Sequence, residues 1–326
     1  MRVVSSTIEA VTPTSIALGN FDGVHRGHQR VIEPAIAYTR QNNQVVTAGH
    51  RATEQQESTK LCPTVVTFDP HPREFFSGNP KRLLTPLPEK TALLSQLGIE
   101  QLVLLPFDRE LAALTPREFI SEILVKKLRT RSISIGVDFC FGRSRSGNST
   151  DLKAIAAEYD VEVHIAPLFK DEGDRISSSA IRTALVEGQL GTANALLGRA
   201  YTLQGKVVHG QKLGRKIGFP TANLELSVTK FLPKYGVYGV QVLNQSAGQS
   251  QWGILNIGCR PTVDPQAKNP TVEVHLFNYD QQIYGETLTV KLLHYIRPEQ
   301  KFNSIETLQA QIQADCDRTK KLLNLT

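Results

Sequence analysis

Strand-like and helix-like segments alternate through the first half of the chain, and this alternation constrains the fold more than any other feature. In chain order the segments are SIALGNF, a helical pattern over about 27–38, CPTVVTF, PEKTALLSQLG, QLVLLPF, PREFISEILVKKL and SISIGV. Strands and helices that take turns in this way are typical of a doubly wound sheet of parallel strands. Ligands of such sheets bind beyond the carboxyl ends of the strands, where loops lead into helices. The first half therefore predicts an α/β domain with its site at that edge.

Short strands alone follow two helical segments that lie around Gly188 and Gly191. They are YTLQGKVVHG, GVYGVQVL, SQWGILNIG, TVEVHLFN and ETLTVKLLHYI. Close strands without intervening helices predict an antiparallel β-barrel or a sandwich. A final helical pattern, with Ser304 as its N-cap, is expected to pack across the barrel. The fold class is therefore α/β plus β, and the predicted domains are 1–187 and 188–326.

Two local features of the first helical pattern are less regular. Pro34 lies inside the pattern and is expected to bend the helix or end its first segment, because proline lacks the N–H that a helix interior needs. Residues 41–61, QNNQVVTAGHRATEQQESTKL, are polar and have no clear period. This segment predicts a surface loop between the first helix and the second strand.

Composition limits the class of protein. Of 326 residues, 40% are hydrophobic and 21% charged, so we expect a packed globular protein long enough for two domains. Four cysteines lie far apart without a CxxC pair and are predicted to be reduced thiols: Cys62, Cys140, Cys259 and Cys316. An export signal and a run of about 20 apolar residues are both missing, which predicts a cytoplasmic protein. The net charge of +6 suits nucleic acid, an acidic membrane surface or a polyphosphate substrate.

The segment from Ala17 to His28, ALGNFDGVHRGH, carries the strongest chemical signal. It runs from a strand through glycines into a helix, and the three-residue spacing of His25 and His28 puts both imidazoles on one face of a helical turn. A helix N-terminus offers backbone N–H groups and partial positive charge, so a polyphosphate can settle there while the imidazoles donate to its oxygens. Such a site suits adenylyl transfer. The alternative is that both histidines are ordinary surface residues on a loop.

This segment closely resembles the HxGH signature of nucleotidyltransferases, in the GxFDGxHxGH form of FAD synthetases. The resemblance implies that His25 and His28 are catalytic. It also implies that five neighbouring residues of the motif bind the nucleotide: Gly19, Asn20, Phe21, Asp22 and Gly27.

Two later segments resemble the same family. TFDPHPR at 67–73 resembles the segment that borders the family's flavin and nucleotide pocket. DFCFG at 138–142 resembles its DFxFG loop and implies a nucleotide-binding role for Asp138. The chain contains no GxxxxGK[ST], GxGxxG, HExxH or GxSxG motif, so ATP must be bound in another way.

The segment ISSSAIR at 176–182 resembles the family's ISSTxIR motif, although Ser179 stands where threonine is usual. The resemblance implies that Ser177 and Ser178 open a helix at the nucleotide and that Arg182 contacts the ATP phosphates in a catalytic role. Taken alone, three serines before a helix are simply a good N-terminal cap.

A second polyphosphate signal lies at 210–223, GQKLGRKIGFPTAN. Glycines let the backbone approach phosphate closely, and the Thr221 hydroxyl and the Asn223 amide offer two oxygen ligands that suit Mg²⁺. The segment therefore predicts that Thr221 and Asn223 bind Mg²⁺ and the nucleotide. From the residues alone a plain turn stays open, because proline, threonine and asparagine are common in turns.

The region from about Leu197 to Asp315 resembles riboflavin kinase nearly end to end and includes PTAN, the family's hallmark. The resemblance implies that Glu273, in the strand VEVH, is the general base toward the 5′-hydroxyl of riboflavin. It also implies that three residues flank the nucleotide: Gly210, Gly214 and Lys216. An exposed strand glutamate would fit the same alternation, so the role of Glu273 depends on the resemblance. His275 and Arg297 are nearby candidates with weaker claims.

Together the two resemblances predict a bifunctional enzyme of FAD biosynthesis. The C-terminal domain is expected to turn riboflavin and ATP into FMN and ADP, and the N-terminal domain to turn FMN and ATP into FAD and diphosphate. Mg²⁺ is the expected cofactor, and the expected partners are riboflavin, FMN and ATP, without nucleic acid or membrane. A different hypothesis is that the basic barrel binds RNA or an acidic partner beside a working nucleotidyltransferase. Nucleic-acid binding would not require PTAN followed by the VEVH glutamate.

Overall fold

The chain forms two compact units, Met1–Ser177 and Ser178–Thr326. The structure, a computed structural model, describes residues 1–48, 60–171, 174–210, 214, 217–244, 248–258 and 270–325. The division between the units precedes a helix at Ser178–Glu187 that our expected limits, 1–187 and 188–326, count with the first domain. Those limits therefore stay a prediction.

A six-stranded parallel sheet forms the first unit, in the order β1-β4-β3-β2-β5-β6. Its strands are β1 (Arg2–Val4), β2 (Thr14–Leu18), β3 (Cys62–Asp69), β4 (Gln101–Pro106), β5 (Thr130–Gly136) and β6 (Glu162–Ala166). The predicted doubly wound α/β sheet is confirmed. From β2 the chain moves to β3 and β4 on one side and later to β5 on the other, so the carboxyl end of β2 lies at the switch point where such sheets bind ligands.

Helices cover both faces of this sheet. They are α1 (Arg26–Ala48), α2 (Pro72–Ser77), α3 (Leu87–Leu97), α4 (Arg109–Ala113), α5 (Pro116–Glu118) continuing into a π-helical segment (Phe119–Lys127), and α6 (Ser149–Ala157). Short 3₁₀ turns lie at Thr7–Glu9 and Arg143–Arg145, and two short strands, β7 (Lys170–Asp171) and β8 (Asp174–Arg175), pair antiparallel. Ile16 of β2 packs into one apolar cluster with Leu124, whereas the next residue, Ala17, packs into another with Ile32. Burial on both faces explains why the strands read as continuous apolar runs.

The first helix differs from both sequence predictions. It continues through Pro34 to Ala48, so Pro34 does not end a first segment, and the expected loop is wrong over 41–48. Residues 49–59 lie outside the described residues. Proline removes one helical hydrogen bond, but Ile32 and Ala35 beside it are fully buried against the sheet, and burying such side chains offsets the loss. The Asn43 amide bonds both the N–H and the carbonyl of Leu61, at 2.9 and 3.0 Å, and this tertiary contact fastens the polar end of the helix.

A closed antiparallel barrel forms most of the second unit, which confirms a barrel rather than a sandwich. In the order β10-β13-β12-β11-β14-β9 the strands are β10 (Ala222–Leu226), β13 (Thr271–Leu276), β12 (Gln249–Gly258), β11 (Gly236–Asn244), β14 (Thr287–Pro298) and β9 (Tyr201–Val208). Helices α7 (Ser178–Glu187) and α8 (Leu190–Leu197) precede it. Buried and partly exposed residues alternate along β13, so Val272 and Val274 fill the barrel while Glu273 faces outward.

The last helix, α9 (Ile305–Leu322), packs on β12 and β14 as expected. Ser304 is its N-cap, and Thr307 completes the capping box in the place where glutamate is usual. Arg297 of β14 binds Asp315 of α9 through Nε, at 3.0 and 2.9 Å from the two carboxylate oxygens. The Asp315 side chain is only 3% exposed, so this ion pair lies at a buried junction between the helix and the barrel.

The cysteines in the described residues are free thiols: Cys62, Cys140 and Cys316. Burial raises the pKa of the Cys62 thiol and raises the pKa of Cys316 to about 11. Neither is therefore a reactive thiolate near neutral pH. Cys259 lies outside the described residues.

Replacing Asp315 with alanine should lower the free energy of unfolding of the second unit by about 3 kcal/mol, because the largely buried side chain of Arg297 then loses its partner. Trp252, the single tryptophan of the chain, lies against the apolar cluster under α9, so its fluorescence in a urea titration follows this unit. Asp317→Ala is the matched control, since Asp317 is exposed on the same helix. Equal midpoints for the two variants would contradict the role of the ion pair.

Candidate active sites

The turn between β2 and α1 reverses the chain within a few residues. Phe21, Gly23 and Val24 take left-handed backbone conformations, with φ of 47°, 94° and 40°. Side chains strain such a backbone, so two of the three positions store conformational energy that the surroundings must offset. A Cβ on Gly19 would lie 3.2 Å from the buried Phe21 ring, which explains why a glycine precedes the turn.

His25 and His28 meet at the start of α1, as their spacing predicts. Their rings stack with centroids 3.5 Å apart. The Phe21 ring packs edge to face against His28, with ring centroids 5.3 Å apart. The backbone N–H of His28 donates to His25 Nδ1 at 3.2 Å, so in the neutral ring Nε2 carries the proton. Gly27 makes room for this ring, because a Cβ there would lie 3.2 Å from it. The arrangement offers imidazole donors beside the backbone N–H groups of a helix N-terminus.

Residues that the sequence reasoning missed hold this turn from the side of α3. The Thr85 hydroxyl accepts from the N–H of Gly23 at 2.9 Å, and the Thr85 N–H donates to Asp22 Oδ1 at 3.3 Å. Lys90 donates from Nζ to the carbonyl of Asn20 at 2.9 Å. Burial lowers the pKa of Lys90, while the charge of Asp22 acts to raise it. The signal in the sequence that could have identified Lys90 was its charge inside the helical pattern of 87–97.

His71 lies in the segment 67–73, just beyond the carboxyl end of β3. Its Nδ1 accepts from the N–H of Arg73 at 3.1 Å and so caps α2. Burial, followed by the positive charges of Lys81 and Arg73, lowers the pKa of His71 to about 4. The ring is therefore neutral near pH 7. Phe75, Phe76 and Phe107 pack edge to face nearby, with ring centroids 5.2 to 5.9 Å apart.

Asp138 follows β5 and pairs with the guanidinium of Arg175, both side chains being about half exposed. Ser177 is the last residue of the first unit. Ser178 begins α7, and its carbonyl accepts from Arg182 Nη1 at 3.3 Å, while that guanidinium lies 5.6 Å from the Phe231 ring. Because Ser178 and Arg182 belong to the second unit, their roles toward the adenylyl-transfer site stay predictions.

In the second unit Thr221, Asn223 and Glu273 come together across the β10–β13 pair. Asn223 lies opposite Glu273 in the register of the two strands. The Thr221 hydroxyl donates to Glu273 Oε2 at 3.5 Å. His275, two residues along β13, has Nδ1 2.8 Å from the Pro220 carbonyl and so fixes the start of the PTAN segment. A hydroxyl, an amide and a carboxylate thus share one outer patch of the barrel.

Two glycines approach this patch without side chains of their own. A Cβ on Gly210 would overlap the Asn223 side-chain amide. A Cβ on Gly214 would overlap the carbonyl oxygen of Phe219 and lie 3.2 Å from the Thr221 hydroxyl. Lys216, predicted to flank the nucleotide, lies outside the described residues.

The two weaker candidates of this region, His275 and Arg297, make different contacts. Arg297 is occupied in the ion pair with Asp315 and serves the junction with α9. Gln309 of α9 was not expected in the site, but its Nε2 donates to the carbonyl of Ile217 at 3.1 Å. The last helix therefore supports the loop that leads into PTAN.

Two family models match the chain, one in each half. The model for FAD synthetase matches residues 7–180, and the model for riboflavin kinase matches residues 197–323. Both matches coincide with the halves in which the corresponding motifs were found.

Relatives match over nearly the whole length. The bifunctional riboflavin kinase/FMN adenylyltransferase of Escherichia coli (strain K12) is 38% identical, and the match covers 95% of this chain and 93% of that protein. The protein of the same description from Bacillus subtilis (strain 168) is 37% identical, over 92% of this chain and 89% of its own.

A crystal structure from Streptococcus pneumoniae, described as a macrolide-efflux protein, matches with a TM-score of 0.79 at 32% identity and covers 96% of each chain. This likeness shows that the two chains share a fold. The efflux named in that description is said of the Streptococcus pneumoniae protein and not of this chain. In the part of the chain that the structure describes, no helix has both the length and the apolar character to cross a bilayer. Because both family models match and relatives align over more than nine tenths of the sequence, the chain belongs to the family of bifunctional riboflavin kinase/FMN adenylyltransferases.

Proposed function

We propose that this chain makes FAD from riboflavin in two ATP-dependent steps. The second unit transfers the γ-phosphoryl group of ATP to riboflavin and releases ADP. The first unit then transfers the adenylyl group of a second ATP to FMN and releases diphosphate. The observation that carries the proposal is that each half has its own family match and its own cluster of residues of the types that suit polyphosphate binding.

In the adenylyl transfer, a phosphate oxygen of FMN forms a bond to the α-phosphorus of ATP as the bond to the leaving diphosphate breaks. Negative charge grows on the oxygens around that phosphorus, and donors that are already in position stabilise it. His25 and His28 supply imidazole donors at the N-terminus of α1, whose backbone N–H groups add to them. Gly19 and Gly27 leave space for the rings of Phe21 and His25, so these rings can pack closely at the turn.

Four more residues complete the proposed nucleotide site by the family pattern. Asp138 would bind the nucleotide from the loop after β5. Ser177 and Ser178 would offer hydroxyls at the start of α7, and Arg182 would pair with the ATP phosphates, since a guanidinium matches phosphate oxygens in a bidentate manner.

In the kinase step, Glu273 accepts the proton of the 5′-hydroxyl of riboflavin while that oxygen bonds to the γ-phosphorus of ATP. The bond between the γ-phosphorus and the leaving ADP breaks in the same step. Support comes from the geometry, because the Glu273 carboxylate lies on the outer side of the barrel, 3.5 Å from the Thr221 hydroxyl. Gly210 and Gly214 allow the loop backbone to lie close to the phosphates.

We further propose that Thr221 and Asn223 hold Mg²⁺ together with the ATP phosphates. A hydroxyl and an amide oxygen are hard donors, and an ion that keeps several waters and phosphate oxygens needs few protein ligands. When bound, Mg²⁺ would neutralise phosphate charge. A cytoplasmic location and the lack of nucleic-acid binding remain predictions.

His28→Ala should stop the pathway at FMN. The change removes one donor from the adenylyl-transfer site, so kcat with FMN and Mg-ATP should fall by about 100- to 1,000-fold, while riboflavin phosphorylation continues. Chromatography of flavin products over time separates the two steps. His164→Ala, on β6 of the same unit, is the control and should still make FAD. Equal loss of both activities in a folded His28→Ala protein would refute the division of labour.

Glu273→Gln should have the opposite effect. The amide has nearly the shape of the carboxylate but cannot take up the proton, so kcat for FMN formation should fall by about 100- to 10,000-fold. Conversion of added FMN to FAD should persist. Glu225→Gln, on the neighbouring strand β10, should leave both rates unchanged. A wild-type rate of FMN formation in Glu273→Gln would show that Glu273 is not the general base.

Gly210→Ala should damage the kinase selectively. The new methyl group would displace the Asn223 amide, and a displacement of about 1 Å in a catalytic site costs about 100-fold in rate. Gly191→Ala is the matched control, because a Cβ there meets nothing within 4 Å. Initial rates of FMN formation compare the two variants, and similar rates would mean that Asn223 does not need its present position.

A further inference from the structure

Lys90 is a lysine in an unusual place. It lies in the first turns of α3 with only 9% of its surface exposed. Taking an ammonium group out of water is costly unless other groups bind it. Here Nζ donates to the Asn20 carbonyl at 2.9 Å, and the buried carboxylate of Asp22 supplies the opposite charge. The burial of Lys90 therefore depends on its contact with the turn before α1.

The contact matters because Asn20 begins the strained turn before α1. Non-glycine residues in left-handed conformations cost about 1–3 kcal/mol each and persist only where their surroundings hold them. Phe21 and Val24 are two such residues, and they lie between Asn20 and His25. Without outside support, the turn would relax to ordinary backbone angles and His25 would move with it.

Thr85 binds the same turn at Asp22 and Gly23, two and three residues after Asn20. Its hydroxyl accepts from Gly23 N–H at 2.9 Å and its own N–H donates to Asp22 at 3.3 Å. On the other side, Gln29 of α1 donates to the Val24 carbonyl at 3.1 Å. The turn is thus bound at several successive positions, and the segment 85–90 supplies the contacts to Asn20, Asp22 and Gly23.

We propose that Lys90 and Thr85 are positioning residues for adenylyl transfer, which hold the turn 20–24 so that His25 and His28 meet the reacting phosphate. The inference rests on the proposed function of the first unit. The side-chain hydrogen bonds of Thr85 and Lys90 go to the backbone of Gly23 and Asn20, so both residues act through the backbone of the turn. They should therefore affect the chemical step more than the binding of FMN or ATP.

Lys90→Met and Thr85→Val test the proposal in the full-length protein. Each keeps the approximate volume of the side chain and removes its hydrogen bond. We expect kcat for FAD formation from FMN and Mg-ATP to fall by about 30- to 100-fold, as for a displacement of about 1 Å, with KM changed less than about threefold. Thr85→Ser keeps the hydroxyl and should restore most of the rate. Lys153→Met, an exposed lysine on α6, should match the wild type.

The double variant sharpens the test, because both residues hold one turn. Its loss in kcat should be smaller than the product of the two single losses, since the second change acts on a turn that has already relaxed. The riboflavin kinase rate of each variant, measured on the same samples, should stay at the wild-type level. This second activity shows that the rest of the chain is intact.

Three results would overturn the proposal: wild-type kcat in Thr85→Val, equal losses in Thr85→Val and Thr85→Ser, or a rise in KM that accounts for the whole effect. If Lys90→Met does not fold, the comparison of Thr85→Val with Thr85→Ser still tests the proposal. Failure of the proposed function is distinguishable, because the wild type and Lys153→Met would then make no FAD from FMN at all.

Discussion

Close approach of the backbone to a polyphosphate is the constraint on which both proposed sites depend. Phosphate charge is bound well where several N–H groups point at it and no side chain intervenes. In the first unit the proposed site has a left-handed turn and Gly27, whose missing side chain leaves space for the His25 ring. In the second unit Gly210 lies against the Asn223 side chain, and Gly214 lies against Phe219 and Thr221, which precede Asn223. In the proposed function, two unrelated folds thus satisfy one requirement of the same co-substrate.

Each site is positioned by the rigid part of its unit. The parallel sheet brings the end of β2 to the point where strand order reverses, and hydrogen bonds from Thr85 and from Lys90 of α3 bind the strained turn. The closed barrel instead uses alternation along β13, which sends Val274 inward and Glu273 outward. Its last helix adds the Arg297–Asp315 pair and a hydrogen bond from Gln309 to the loop before PTAN. Groups on strained turns or on loops need such support, because without it the backbone would relax to ordinary angles and the groups would move.

Local patterns predicted much of this structure and failed where tertiary contacts decided. The alternation of strands and helices, the turn into α1 and the capped last helix follow from periodicity and capping chemistry, which act over a few residues. The end of α1 did not follow, because Pro34 is tolerated on account of its buried neighbours and the polar end is fastened to Leu61 by Asn43. Thr85 and Lys90 were missed for the same reason. Their partners are about 60 to 70 residues away in the sequence.

By itself the sequence determined the two fold types, the order of the domains and the residue types that each site offers, because hydrophobic period and motif spacing are properties of neighbouring residues. The tertiary structure decided which of those residues meet. It put Asn223 opposite Glu273 through strand register, stacked His25 on His28 and assigned Arg297 to an ion pair with the last helix. Register, burial and the packing of distant segments depend on the whole fold, so no local pattern contains them.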